Sequence, residues 1–358
     1  MKVAIISRCE SRSLYVIREV IQRWPDHLVI RPVRAKSKPE TRSERVRRRL
    51  RKLTRHPIQT VSDRFEGAAH AFYHWYEGDV DQQITQLLFD STEPPEVDMN
   101  RVDVPWREIN SEETARRIRD FSPDVLLVCV APILRPNIFT IPPHGTINVH
   151  HGLVPFYRGE HTLFWPLYFR EYDQVGVTVH YIDEGVDTGD ILATGCPETR
   201  SQDNEATVTA RSTRLAAHLT SEVLAAAQWG RLSGQRQSEE IGREFRHRQR
   251  TGWKELWYLI QREIVGHRPL PMIEHKECHF VRTDGDPDAD VAMERTILAE
   301  LHELRREVQT CRDSDHAGDL LSPGTPADSS STKETRRDKD SENGAMPHGQ
   351  QSRMCDHE

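Results

Sequence analysis

The runs 2-KVAIIS-7, 13-SLYVIREVIQRW-24 and 27-HLVIRPV-33 decide the fold. The first is a short, nearly continuous apolar run, as a strand buried on both faces requires. In the second, Leu14, Ile17, Ile21 and Trp24 recur at helical spacing, with Ser13 as candidate N-cap. The third is strand-like again. A β-α-β opening builds a parallel sheet. Outward from it, 104-VPWREIN-110 resumes the strand signal, and Ser111 followed by Glu112 and Glu113 starts a helix reaching about Phe121. Strands follow at 124-DVLLVCV-130, 145-GTINVH-150, 175-VGVTVHYID-183 and 191-ILATG-195, with a short helix over 161–172. A long Ala-rich helix spans Glu205–Trp229 and stops at Gly230; 253-WKELWYLIQREIV-265 reads as one more amphipathic helix. The expected class is α/β, a doubly wound, mostly parallel sheet.

Residues 1–235 form the expected catalytic domain, in which 36–100 is an insertion or elaborated crossover, partly helical. Residues 41–56 hold eight Arg or Lys, with Val46, Leu50 and Leu53 at helical spacing, and the aromatic run 71-AFYHWYEG-78 follows. Residues 236–283 read as a helical extension. A short coiled-coil-like helix is expected over 284–311, carried by Ile297, Leu301, Leu304 and Val308. The segment 312–358 has almost no large apolar groups and is expected to be disordered, because it cannot bury enough surface to offset its ordering entropy.

Lys and Arg number 49 against 56 Asp and Glu, a net charge of −7 that argues against wholesale nucleic-acid binding. The longest apolar stretches, such as 124-DVLLVCVAPIL-134, are too short to span a bilayer, and the first residues lack a signal-peptide pattern. A cytoplasmic protein with six scattered, reduced cysteines is the expectation. His275, Cys278 and His279 are the one metal-like cluster that stands out; without a fourth ligand they read as solvated side chains, so no metal is expected. If the chain self-associates, the expected assembly is a homodimer.

Chemistry concentrates in 147-INVHHGLVPFYRGEHT-162 and 176-GVTVHYIDEGVDTGDIL-192. Asn148 and His150, two apart on a strand, project from the same face. His151 belongs to the opposite face. The second run adds His180 and a glycine-rich loop with Asp183, Asp187 and Asp190, of which the outer two also suit turns. Amide, imidazole and carboxylate are the parts needed to add an amine to an acyl carbon. The Asn148 amide and a protonated His150 can hydrogen-bond the developing oxyanion, while Asp187 keeps His150 charged and orients a water that relays the proton. No Ser or Cys lies between Asn148 and Pro155 to serve as a nucleophile.

At these residues the chain resembles the folate-dependent formyltransferase family. That family includes glycinamide ribonucleotide, methionyl-tRNA and sugar-nucleotide N-formyltransferases and formyltetrahydrofolate deformylase. Its pattern of Asn-x-His, Leu-x-Pro, a Gly and often a His, Gly-x-Thr-x-His and Asp-x-Gly-x-Asp-x-Gly is matched by Asn148, His150, Leu153, Pro155, Gly159, His161, Gly176, Thr178, His180, Asp183, Gly185, Asp187 and Gly189. The resemblance covers about residues 124–230 well and 1–35 loosely. It implies catalytic roles for Asn148, His150 and Asp187. It also implies a pteridine pocket for 10-formyltetrahydrofolate lined by Pro132, Ile133 and Leu134 and by Asp183, Glu184, Gly185 and Val186. His161 becomes an auxiliary group near Asp187. His180 is expected to orient the Asp loop, and Tyr157 and Arg158 to face the acceptor or pack the loop.

The implied activity is metal-independent transfer of a formyl group to a primary amine of a small acceptor, an amino sugar nucleotide or a glycinamide-ribonucleotide-like molecule. One rival is a deformylase that uses water; another is a catalytically silent folate- or nucleotide-binding protein. Two departures bear on the acceptor. Arg8-Cys9-Glu10-Ser11-Arg12 stands where glycinamide ribonucleotide enzymes have a Gly-rich loop, and no β-barrel pattern like that of methionyl-tRNA enzymes follows Gly230.

Overall fold

Alternate residues of the central strands face two different helical layers. Val3, Ile5, Val125, Leu127, Ile147 and Val149 pack on one side with Val16, Ile17 and Val20 of a first helix and Ala216, Leu219 and Val223 of a long later one. Ala4, Ile6, Leu126 and Val128 pack on the other side against Ala115, Ile118 and Ile138. This period of two is what a doubly covered sheet dictates. In the computed structural model, residues 1–35, 41–55, 57–237 and 242–266 are described. The chain divides into the units Met1–Asp286 and Pro287–Glu358, and every described residue belongs to the first. The expected helix at 284–311, the tail 312–358 and the cluster His275, Cys278 and His279 lie outside the described residues.

The strands are β1 (Val3–Ser7), β2 (His27–Val33), β3 (Arg101–Pro105), β4 (Val125–Cys129), β5 (Thr146–His150), β6 (Tyr157–Gly159), β7 (Val177–Tyr181), β8 (Ile191–Gly195) and β9 (Arg243–Phe245). The α-helices are α1 (Ser11–Arg23), α2 (Arg42–Arg55), α3 (Pro57–Glu77), α4 (Val80–Phe89), α5 (Glu112–Phe121), α6 (Pro136–Phe139), α7 (Phe164–Phe169), α8 (Glu205–Gln228) and α9 (Gly252–Glu263). Seven strands make one sheet in the order β3-β2-β1-β4-β5-β7-β8. From β3 to β5 all pairs are parallel; β7 and β8 are antiparallel additions. The fold is thus the α/β, mostly parallel class expected from the opening strands. Among the described residues no helix is long and apolar enough to cross a membrane.

Several boundaries moved for local reasons. Helix α1 starts at Ser11, and the Ser13 hydroxyl donates to the Glu10 carbonyl instead of capping. Strand β3 begins earlier than expected, at Arg101, because it pairs with β2 from Val29 onward. Ser111 caps α5 as expected, accepting from the Thr114 N–H. Asn204 and Thr207 close a capping box at the start of α8. Within 36–100, α4 packs on α1 and α8 and so belongs to the sheet's own helical layer, whereas α3 packs along α9. Trp165 is fully buried, and its ring stacks on Phe245 at 4.6 Å.

Residues after Gly230 are woven back into the domain. Gln235 bridges Ile191 at the edge of the main sheet, and β9 pairs parallel with β6 in a separate two-stranded sheet. Largely buried Arg250 then forms a bidentate pair with Glu205 of α8 (2.6 and 2.9 Å) and donates its Nε–H to Glu255 of α9 at 2.8 Å. Tyr73 of α3 donates to the same Glu205 at 2.8 Å. One guanidinium therefore ties together helices from three distant parts of the chain.

Candidate active site

The carboxyl ends of β1, β4 and β5 lie on one edge of the sheet, beside the switch point where the order turns from β1 to β4. Ligands of open α/β sheets bind at such edges. The β1 and β4 ends are joined by the Arg8 N–H donating to the Val130 carbonyl at 3.2 Å, and Val130 itself adopts φ +54°. A β-branched residue in that region is a true outlier, and such strain collects at functional edges.

Strand β5 supplies Asn148 and His150. The antiparallel register sets Asn148 directly opposite His180, so the two side chains are neighbours on one face. Asn148 Nδ2 lies 3.1 Å from His180 Nε2 and 3.2 Å from Asp187 Oδ1. The His180 Nδ1–H donates to the Tyr181 carbonyl at 2.7 Å, which leaves Nε2 as an acceptor for the amide. Both Asn148 hydrogens are then engaged inside the site, and its carbonyl oxygen faces outward from this network.

Asp187 is the hub. It sits at φ +52°, in the left-handed region that Asp tolerates better than most residues. Oδ2 accepts the Gly159 N–H at 2.8 Å and lies 3.5 Å from His150 Nδ1; Oδ1 lies 3.5 Å from His180 Nε2. Burial pushes the carboxyl up, but the neighbouring imidazoles of His150 and His180 and the hydrogen bond from the Gly159 N–H outweigh it, holding Asp187 well below the usual carboxylate range. His150 is only 6% exposed, and its Nε2–H donates to the Tyr157 carbonyl at 2.9 Å. Burial lowers its pKa below the ordinary value, and the nearby Asp187 charge only partly offsets this. The ring is therefore neutral at pH 7, not held protonated as the sequence suggested.

Other expected site residues are placed as follows. Asp183 is exposed and closes its own loop, accepting from the Gly185 N–H at 3.0 Å and the Thr188 hydroxyl at 2.7 Å, as a turn former does. Glu184 and Gly185 are exposed, and Val186 gives its carbonyl to Arg158 Nη1 at 3.4 Å. Ile133 is 77% exposed beside a buried Leu134, and Pro132 is half-buried. The Tyr157 side chain faces the interior: it is buried, stacks on Phe245 and donates to Glu171. His161 hydrogen-bonds His247 at 2.8 Å, not Asp187, and burial pushes its pKa down to about 4. His151 lies apart from the cluster, its Nε2 3.4 Å from the Thr213 hydroxyl.

Gln237 was not anticipated. Its Nε2 donates to the carbonyls of Asp187 (3.0 Å) and Gly189 (2.7 Å), clamping the loop from below. No periodicity or motif in the sequence marks it.

An amide, two imidazoles and an ionised carboxylate thus meet at the end of a parallel strand of a Rossmann-like sheet, groups that can hydrogen-bond a carbonyl oxygen and move a proton. Residues 79–224 match the model of the formyl transferase family. It is 31% identical over 170 residues to the methionyl-tRNA formyltransferase of Caldanaerobacter subterraneus, covering 45% of this chain and 54% of that protein. The enzyme of the same name from Anaeromyxobacter dehalogenans is 36% identical over 124 residues, 34% of this chain and 39% of that one. The chain thus spans about half, or less, of these curated relatives. A sugar N-formyltransferase structure from a Shewanella species aligns with 80% of this chain and 98% of its own, at 15% identity and a TM-score of 0.43.

Proposed function

We propose that this protein transfers a formyl group from 10-formyltetrahydrofolate to the primary amine of a small, phosphate-bearing acceptor. The observation that carries the reading is the Asn148–Asp187–His150 constellation inside the family-matched segment. The bond formed joins the amine nitrogen to the formyl carbon, the bond broken joins that carbon to the folate nitrogen, and one proton passes between the two nitrogens. The folate supplies the formyl carbon when bound. Exposed Ile133 and the exposed residues 183–185 suit the flat, amide-like edge of a pteridine, and both flank the strand ends.

The Asn148 carbonyl oxygen accepts an N–H of the incoming amine and aims its lone pair. As negative charge grows on the formyl oxygen, Asn148 releases its 3.2 Å bond to Asp187 and turns that N–H to the oxygen. Neutral His150 takes the amine proton at Nδ1; Asp187 stabilises the imidazolium that results, and the proton then passes to the leaving nitrogen. His180 and Gln237 are positioning residues.

Arg8, Arg34 and Trp106 support a phosphate-bearing acceptor. Each directly follows one of the three parallel strands β1, β2 and β3, and both guanidinium groups lie over the Trp106 ring, at 5.7 and 4.4 Å. One intervening strand separates β1 from β5, so this cationic edge begins about 10 Å from Asn148. The test supplies 10-formyltetrahydrofolate with amino sugar nucleotides, phosphoribosyl amines, methionyl-tRNA or no acceptor. Tetrahydrofolate and formylated amine appearing together in the small-molecule arms support the proposal. Formate released without any amine assigns a hydrolase, and no turnover in any arm overturns catalysis.

A further inference from the structure

We infer that α3 and α9 carry a divalent-cation site of zinc type, built from His70, His74 and Glu255. His70 and His74 stand four apart on α3, hence on one helical face, and their rings meet edge-on at 4.3 Å. Glu255 comes from the first turn of α9, and its Oε2 lies 2.5 Å from His70 Nδ1. One ligand atom from each of the three residues lies within 4.8 Å of the others. Two imidazoles and a carboxylate with an open face toward solvent are a ligand set for Zn²⁺ or Co²⁺.

The carboxylate is held in advance. Arg250 Nε–H binds Glu255 Oε1 at 2.8 Å, which leaves Oε2 for the cluster. The helices are also locked close at this point: a Cβ on Gly252 would lie 2.4 Å from the Glu66 carbonyl and 2.6 Å from the His70 nitrogen. Charge adds to the case. Arg250 faces two carboxylates, Glu205 and Glu255, so this buried set keeps one net negative charge. His74 makes ring contacts with His70 and Tyr73 and no hydrogen bond among the described residues, which leaves its nitrogens open to an ion. The ion would staple α3 to α9, apart from the Asp187 network.

The experiment uses the full chain stripped by chelator, then titrated with Co²⁺ and Zn²⁺. Expected are one equivalent of Co²⁺ with the visible absorption of a four-coordinate site, and a Zn²⁺-dependent rise in melting temperature. Both should weaken at least about tenfold in His74→Ala, an exposed position whose loss should leave turnover unchanged. They should survive Cys278→Ser, which tests the competing cluster. Absence of binding at tens of micromolar ion, or equal binding by wild type and His74→Ala, overturns the site.

Discussion

The Nε2–H of His150 is bonded to the carbonyl of Tyr157, 2.9 Å away, so this imidazole turns its other nitrogen toward Asp187. The tautomer is set by a backbone group seven residues along the chain. The loop 151–159 therefore positions the base as well as carrying Gly159.

Loss of any member of the central trio should act on the chemical step. Asn148→Ala, His150→Ala and Asp187→Asn are each expected to lower kcat by about 100-fold or more, the scale of a lost oxyanion donor or general base. Paired losses should fall far short of the product of the single ones. His151→Ala, outside the cluster, should cost much less in steady-state assays of formyl transfer. Near-normal transfer by His150→Ala would remove this site from the reaction.

His150 should titrate below the ordinary histidine value near 6.5, because burial disfavours its charged form. Asp187→Asn should lower the midpoint further, since the carboxylate is the group that raises it. The linkage has a definite sign. A histidine with a depressed folded pKa contributes stability that is complete above about 6.5 and lost as pH falls toward the folded value. His161, pushed down to about 4, and His151, to about 3, act in the same direction. Stability by urea unfolding should fall from pH 7 to pH 4.5, and imidazole NMR follows the midpoints. A His150 midpoint above 7 contradicts this account.

Gly159→Ala should impair turnover through Asp187. Gly159 adopts φ +90°, and a Cβ there would meet the Phe245 carbonyl at 2.2 Å. The N–H that binds Asp187 must then move. Folding should survive while kcat drops by roughly tenfold or more; unchanged kcat would show that this N–H is dispensable.

Arg250→Met should destabilise the fold by about 3 to 5 kcal/mol, because Glu205 and Glu255 are left as buried, uncompensated carboxylates. Tyr73→Phe, which removes one hydrogen bond to Glu205, should cost about 1 kcal/mol. Urea midpoints at constant slope measure both.

The sheet was legible because its central strands are short, nearly continuous apolar runs and its helices carry clean periodicity; 191-ILATG-195 and the Ser111 cap were found where expected. Asn148 and His150 were visible as an i, i+2 pair, and Asp187 through the motif. Their interaction was not. Whether Asn148 lies beside His180 depends on the reversed direction of β7, which no local pattern encodes. Strands β6 and β9 are three residues each, too short for periodicity, and they pair across more than eighty residues. His70 and His74 form a readable His-x-x-x-His, but Glu255 joins them from 185 residues away. The neutral state of His150 is likewise a product of burial, which follows packing rather than residue type.

The order in which the parts leave a ribosome follows from where β9 lies. All seven strands of the main sheet are translated by Gly195, and α8 by Gln228. Gln237, which clamps the Asp187 loop, and Phe245, which pins Gly159, come later. At about 5 to 20 residues per second, synthesis of residues 229–250 takes roughly 1 to 4 s. Through that interval the nascent chain holds the scaffold without the pieces that aim its carboxylate. A stalled or proteolytically shortened chain ending near Gly230 would keep a sheet that can fold while its Asp187 loop hangs unsupported, so abundance measured by an antibody to the sheet would overstate working protein.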